Sequence, residues 1–289
     1  MGSRVTITAP GMQSTLESLG FRGYEDFASC TIGEVVSSRG SAETRRISTS
    51  GAAGGGGLLY LKVYRHAPPS WRTLLQRDKC SIERRNYACM GAVCGVSVPE
   101  VVAFGARRSF GRLCDAFIMT CGVEGARPLD AWWDDCGGRD ASMRSWALAA
   151  SAACASAMHE AGFSHIDLQW RNLLVSESPR GERGIGRGAG EYGGHAETVD
   201  RRLFVLDSAR GGMRWWSVRR EHGRIRDLSS LSKGARGRLT RTEQLRWLCR
   251  YFGVERLGCE HRALVRTILR DRLLKDGGDV AMKNREAAR

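Results

Sequence analysis

The order of polar residues around two short apolar runs constrains this chain most. His165-Ile166-Asp167-Leu168-Gln169-Trp170-Arg171-Asn172 leads straight into the apolar residues 173–175, and a second apolar run, residues 203–206, ends on Asp207. Short apolar runs bounded by polar residues read as strands. Paired as a hairpin, they would hold Asn172 and Asp207 near one another. A carboxylate can take the proton of an attacking hydroxyl. A second carboxylate and an amide carbonyl can ligate a hard cation. Taken singly, Asp167 is an ordinary turn acid, Asn172 a helix cap and Asp207 a strand-end acid. Their occurrence together, in this order, suits transfer of a phosphoryl group.

The chain upstream reads as a small sheet. Residues 32–36 and 44–48 form expected strands with a turn at 37–41, the better-placed position for a loop covering a nucleotide. Residues 51–57 are nearly all glycine, but they lack the G-K-[ST] ending of a phosphate loop, so a flexible connection is the simpler reading. Residues 58–64 form a buried strand whose one charge is Lys62. Pro68, Pro69 and Ser70 then open a helical stretch carrying Trp71, Leu74, Leu75 and Glu83 and ending near residues 91–95. Residues 96–104 and 115–120 are two further strands with a turn at 107–111, whereas residues 16–32 suggest no clear element.

A lysine inside an apolar strand pays desolvation unless an anion neutralises it. Glu83 is the preferred partner, with Asp78 and Glu100 as competitors; such a pair can hold the ammonium against the α- and β-phosphates of a nucleotide. The alternative places Lys62 on an exposed edge strand.

Beyond residue 121 the pattern turns helical. Residues 142–160 are rich in alanine and stop at Gly162, and residues 242–252 and 261–274 show helical spacing. The tail after 275 is polar and expected to fray. Residues 176–202, dominated by glycine, arginine and glutamate, read as a mobile insertion without a core. Asp167 is then the expected base, with Asn172 and Asp207 as metal ligands. His165 supports the loop, and Asp227 braces it from a later helix. Arg171 either supports Asp167, contacts the transferred phosphate or faces solvent.

The formal net charge of +14 favours an anionic partner, whether ATP, a phosphorylated glycolipid, a membrane surface or a nucleic acid. A general arginine bias would give the same number. No nucleic-acid-binding motif accompanies it, so nucleic acid ranks last. The 10 cysteines include no C-x-x-C pair and read as reduced thiols of a cytosolic protein. Met1-Gly2-Ser3-Arg4-Val5-Thr6 lacks the apolar stretch of a signal peptide but fits the N-myristoylation pattern. No segment is long and apolar enough to span a bilayer, so any membrane contact would be peripheral.

The His165–Asn172 segment has the H-x-D-L-x-x-x-N form of a kinase catalytic loop, and Asp207 stands where kinases place a metal-binding aspartate. With Leu59-Tyr60-Leu61-Lys62-Val63-Tyr64-Arg65, the helix around Glu83, Phe117-Ile118-Met119-Thr120 and Asp227-Leu228-Ser229-Ser230-Leu231, the set resembles the protein-kinase-like superfamily. It is closest to the lipopolysaccharide core kinases that act on Kdo or heptose, over about residues 55 to 274. That resemblance implies an α+β, two-lobed protein-kinase-like fold. Residues 1–121 would form an N-lobe with an antiparallel sheet and one main helix, and residues 122–289 a larger helical C-lobe. It implies ATP in the cleft, Mg2+, and a sugar hydroxyl of an anionic inner-core glycolipid as acceptor, with peripheral contact at the cytoplasmic face of the inner membrane. Three features depart from the pattern. Asp207-Ser208-Ala209 replaces D-F-G, a glycine-rich nucleotide loop is not recognisable, and the insertion is long. The rival readings are a kinase for another small molecule or a protein, and a catalytically silent kinase-like module.

Overall fold

In the computed structural model, residues 2–49, 57–65, 74, 77–137, 139–178 and 200–287 are described. The chain divides into two compact units, neither of them one continuous stretch. The first takes Met1–Cys89, Val98–Glu124 and Ser208–Arg210; the second takes Met90–Ser97, Gly125–Asp207 and Gly211–Arg289.

The first unit is built on strands β1 (Gly2–Ile7), β2 (Glu34–Arg39), β3 (Ala42–Ser48), β4 (Leu58–Arg65), β5 (Val101–Ser109) and β6 (Arg112–Cys121). They form one antiparallel sheet in the order β1-β5-β6-β4-β3-β2. Side chains alternate across a strand, and in β4 this buries Leu59, Leu61 and Val63. They pack with Leu16, Phe21, Tyr24, Phe27, Phe117 and Met119. The rings of Phe27 and Phe117 stack at 4.3 Å. Each such burial stabilises by roughly 1.5–3 kcal/mol. Leu16, Tyr24 and Phe27 come from α1 (Gln13–Ser18) and α2 (Tyr24–Ala28), in the stretch where the sequence showed no element. Helices of 6 and 5 residues are too short to display a helical period.

Several expected boundaries shift. The strand expected from Ile32 is β2, which begins at Glu34 and continues through Ser37 and Ser38, so the expected turn at 37–41 shrinks to Gly40–Ser41. Gly40 has φ +58°, which supplies the reversal. The strand expected over 96–104 starts only at Val101, after Pro99, which has no N–H to give a ladder. Its hairpin turn is confined to Phe110 and Gly111, with φ of +50° and +77°, the left-handed pair of a two-residue turn. Leu74 forms an isolated bridge with Arg112 and is not helical; the described helix, α3, is Lys79–Ala92. Pro68 to Trp71 and Leu75, like residues 51–56, lie outside the described residues.

The second unit contains β7 (Arg127–Pro128), α4 (Leu129–Trp132), α5 (Ala141–Glu160), β8 (Phe163–Ser164), β9 (Leu173–Ser178), β10 (Asp200–Val205) and β11 (Gly212–Met213), then α6 (Ser217–Ala235), α7 (Arg241–Phe252) and α8 (Cys259–Ala287). Asp140 caps α5, accepting from the Ser142 and Met143 N–H groups, and Ala147, Leu148, Ala152, Ala155 and Met158 bury its inner face. β9 and β10 pair from Leu173↔Val205 to Ser178↔Asp200. The insertion expected over 176–202 is therefore strand at both ends, because ladder bonds do not require apolar side chains and Arg201 meets Glu177 at 2.8 Å. Residues 179–199 lie outside the described residues. The tail expected to fray after 275 belongs to α8, which continues to Ala287 across Gly277 and Gly278 in a stretch without proline. Among the described residues no helix is long and apolar enough to cross a membrane.

Candidate active site

In the first unit, β4 is an interior strand: Lys62 pairs across to Thr44 of β3 and Ile118 of β6. The edge-strand alternative is thus excluded. Alternation puts Lys62 on the face opposite Leu61 and Val63. Its Nζ lies 3.4 Å from Oε2 of Glu83, with side-chain exposures of 18% and 4%. The Glu83 carboxylate also accepts from the hydroxyls of Tyr87 at 2.9 Å and Tyr64 at 3.4 Å. Of the competitors, Asp78 is used to cap α3, accepting the Ser81 N–H at 2.6 Å. Ser208, in the place usual for phenylalanine, is fully buried, and its carbonyl accepts from Asn86 Nδ2 at 2.6 Å.

In the second unit, α5 ends at Gly162 (φ +79°), β8 follows, and the chain then turns sharply. Ile166 has φ +73° and Asp207 φ +57°. A β-branched residue rarely enters that region. Such strain costs on the order of 1–3 kcal/mol per residue and persists only where surrounding bonds enforce it. Such bonds surround both residues here. His165 is fully buried, and its Nε2 lies 2.8 Å from the Leu206 carbonyl, which can only accept, so Nε2 carries the proton. Asn172 Nδ2 donates to the Asp167 carbonyl at 2.8 Å, and the Asn172 carbonyl accepts the Leu206 N–H at 2.8 Å. The hairpin therefore ties Asp167, Asn172 and the Leu206–Asp207 strand end together. The Asp167 carboxylate accepts from Gln169 Nε2 and lies 3.9 Å from the half-exposed Arg171 guanidinium. Of the roles open to Arg171, the one next to Asp167 has a geometric basis.

No cluster of three or more His, Cys, Asp or Glu that could hold a metal occurs among the described residues. Mg2+ of nucleotide chemistry takes one or two carboxylates and completes its shell with phosphate oxygens and water. Asn172 spends an amide N–H on Asp167, which keeps its carbonyl oxygen as the acceptor. An apolar cavity of about 270 Å³, lined by Trp170, Leu228, Leu231, Leu248 and Ile268, has no acid in its wall and does not suit the chemistry.

Asp227 of α6 is fully buried and does brace the loop: Oδ2 accepts the His165 N–H at 2.7 Å. Sequence reasoning missed what lies behind it. His159 Nε2 is 3.2 Å from the same oxygen, His159 Nδ1 is 2.8 Å from the Tyr251 hydroxyl, and Arg224 Nε donates to that hydroxyl at 2.7 Å. Burial pushes the Tyr251 hydroxyl up to about 12, so it keeps its proton and can donate to His159. No local signal links positions 159, 224 and 251; only packing does. Asp227→Ala leaves the His165 N–H and the His159 ring without their acceptor. It is expected to cost about 1–3 kcal/mol for each donor stranded, read as a lower Tm, with slower transfer in the surviving folded fraction. An unchanged Tm would show that the network carries no load.

The lipopolysaccharide kinase (Kdo/WaaP) family model matches residues 36–251. Among solved structures, the chain is similar to "WaaP in complex with acyl carrier protein", with 24% identity, a TM-score of 0.57, and coverage of 99% of this chain and 98% of that one. At that identity the likeness shows the fold. No curated protein matches the chain. With a family match across most of its length, a mixed fold like that of WaaP, and a hairpin that gathers Asp167, Asn172 and the strand end before Asp207, the chain belongs to the lipopolysaccharide kinase (Kdo/WaaP) family and is a phosphotransferase.

Proposed function

We propose that this kinase transfers the γ-phosphoryl group of ATP to a sugar hydroxyl, Kdo or heptose, of lipopolysaccharide inner core or a similar glycolipid. The observation that carries the reading is the cross-linked loop, in which His165, Asn172 and Asp227 hold Asp167 beside the strained strand end at Asp207. Asp167 orients the acceptor hydroxyl and takes its proton late in transfer. Asn172 and Asp207 would hold Mg2+, which neutralises charge on the nucleotide phosphates. Lys62, steadied by Glu83, meets the α- and β-phosphates as a fixed positive charge. Arg171, with its guanidinium 3.9 Å from the Asp167 carboxylate, steadies that side chain.

The test is transfer of radiolabelled phosphate from ATP to purified core glycolipid, with Mg2+ present and then chelated. Label in the glycolipid, lost on chelation, is the expected result. Label only in proteins or free small molecules would replace the acceptor. Nucleotide binding without any turnover would replace the function with that of a silent binding module.

A further inference from the structure

Among the described residues the tryptophans are hidden except at one place. Trp132, Trp133 and Trp170 are buried, and Trp146 and Trp247 are partly so. Trp215 and Trp216 are adjacent and 78% and 73% exposed, and Val218 beside them is 79% exposed. The run reads Arg214-Trp215-Trp216-Ser217-Val218-Arg219-Arg220-Glu221-His222, and every residue after Arg214 is exposed. Glu221 is its one acid and lies 3.8 Å from Arg224. Trp216 is the N-cap of α6 but supplies no capping side-chain bond, so the positive end of a 19-residue helix also opens here.

Large apolar side chains gathered at a surface mark a contact. Indoles ringed by arginine belong to the headgroup zone of a bilayer, where the ring is half buried and the guanidinium reaches phosphate. An anionic surface also answers the charge of the run and of the whole chain. We infer that Trp215, Trp216 and Val218 insert into an anionic lipid surface, with Arg214, Arg219 and Arg220 on its phosphates.

The segment sits on the same frame as the catalytic loop. β11 pairs with β8, the Arg214 N–H donates to the Gly162 carbonyl at 2.8 Å, and Arg220 Nε donates to the Arg214 carbonyl at 2.6 Å. From the cap at residue 216 to the brace at 227, α6 rises about 16 Å. Seated on a bilayer, the segment holds Asp167 within reach of a lipid-anchored sugar. The inference rests, in this respect, on the glycolipid reading of function.

The experiment uses the full chain with vesicles of phosphatidylglycerol and phosphatidylethanolamine, and with phosphatidylcholine alone. Expected are co-sedimentation with the anionic vesicles, weakened by salt, and quenching of tryptophan emission by brominated lipid. W215S/W216S should bind at least tenfold more weakly with the same Tm. Its KM for bilayer-embedded glycolipid should rise while turnover of a deacylated, water-soluble acceptor stays unchanged. Equal vesicle binding by wild type and variant overturns the inference, as does no binding by the wild type at low salt. Protection of the two indoles by an acidic protein but not by vesicles overturns it in favour of protein docking. Tryptophan-dependent vesicle binding without glycolipid phosphorylation would remove the functional reading and leave the surface. Phosphorylation with tryptophan-independent binding would do the reverse.

Discussion

Asp167→Asn is expected to bind nucleotide as the wild type does and to transfer phosphate roughly 10²–10⁴-fold more slowly. The substitution keeps the shape of the side chain. The backbone carbonyl of Asp167 still accepts from Asn172, and the Asn172 carbonyl still accepts from Leu206. What disappears is the oxygen proposed to receive the acceptor's proton, together with the carboxylate near Arg171. Single-turnover transfer to glycolipid measures the chemical step, and nucleotide titration separates it from binding. Turnover within a few-fold of the wild type would remove Asp167 from the chemistry and leave the strain at Ile166 without a purpose.

Lys62→Ala is expected to lower turnover by about 10²–10³-fold, because a positioned cation at the phosphates is worth more in transfer than in ground-state binding. Its structural cost should be modest. Glu83 is almost fully buried, but it keeps the Tyr64 and Tyr87 hydroxyls after the ammonium has gone. One lost hydrogen bond to a charged group costs about 1.5–3 kcal/mol. Circular dichroism should therefore show an intact fold with a lowered Tm, and Glu83→Gln should retain more stability than Lys62→Ala retains activity. An active, cooperatively folded Lys62→Ala would sink the assignment.

Much of this architecture was legible in the chain. The apolar run through residues 58–64 marked β4, and the alanine-rich stretch marked α5. The two apolar runs marked the β9–β10 hairpin. Each carries its signal locally, because backbone pairing and one-sided burial impose a period on neighbouring residues. Turn chemistry was legible only in outline. Glycine marked the reversals at Gly40 and Gly111, but the residues before them, Ser37 to Arg39 and Arg107 to Ser109, remain in strands.

Asp167, Asn172 and Asp207 could be picked out as candidates from order and spacing, since the proposed chemistry demands those functional groups. Their support was legible only in part. Whether Lys62 meets Glu83, Asp78 or Glu100 depends on which face of α3 lies over β4, and that follows from packing of side chains distant in sequence. Asp227 was readable as a brace, but its own support by His159, Tyr251 and Arg224 joins helices α5, α6 and α7 through single hydrogen bonds. The exposure of Trp215 and Trp216 is likewise invisible in composition, where eight tryptophans would all be assigned to the core. Local pattern thus specifies elements and chemistry. Which side chains meet, and which apolar surface stays open, is decided only when the elements pack, because a contact energy depends on a partner that no neighbouring residue encodes.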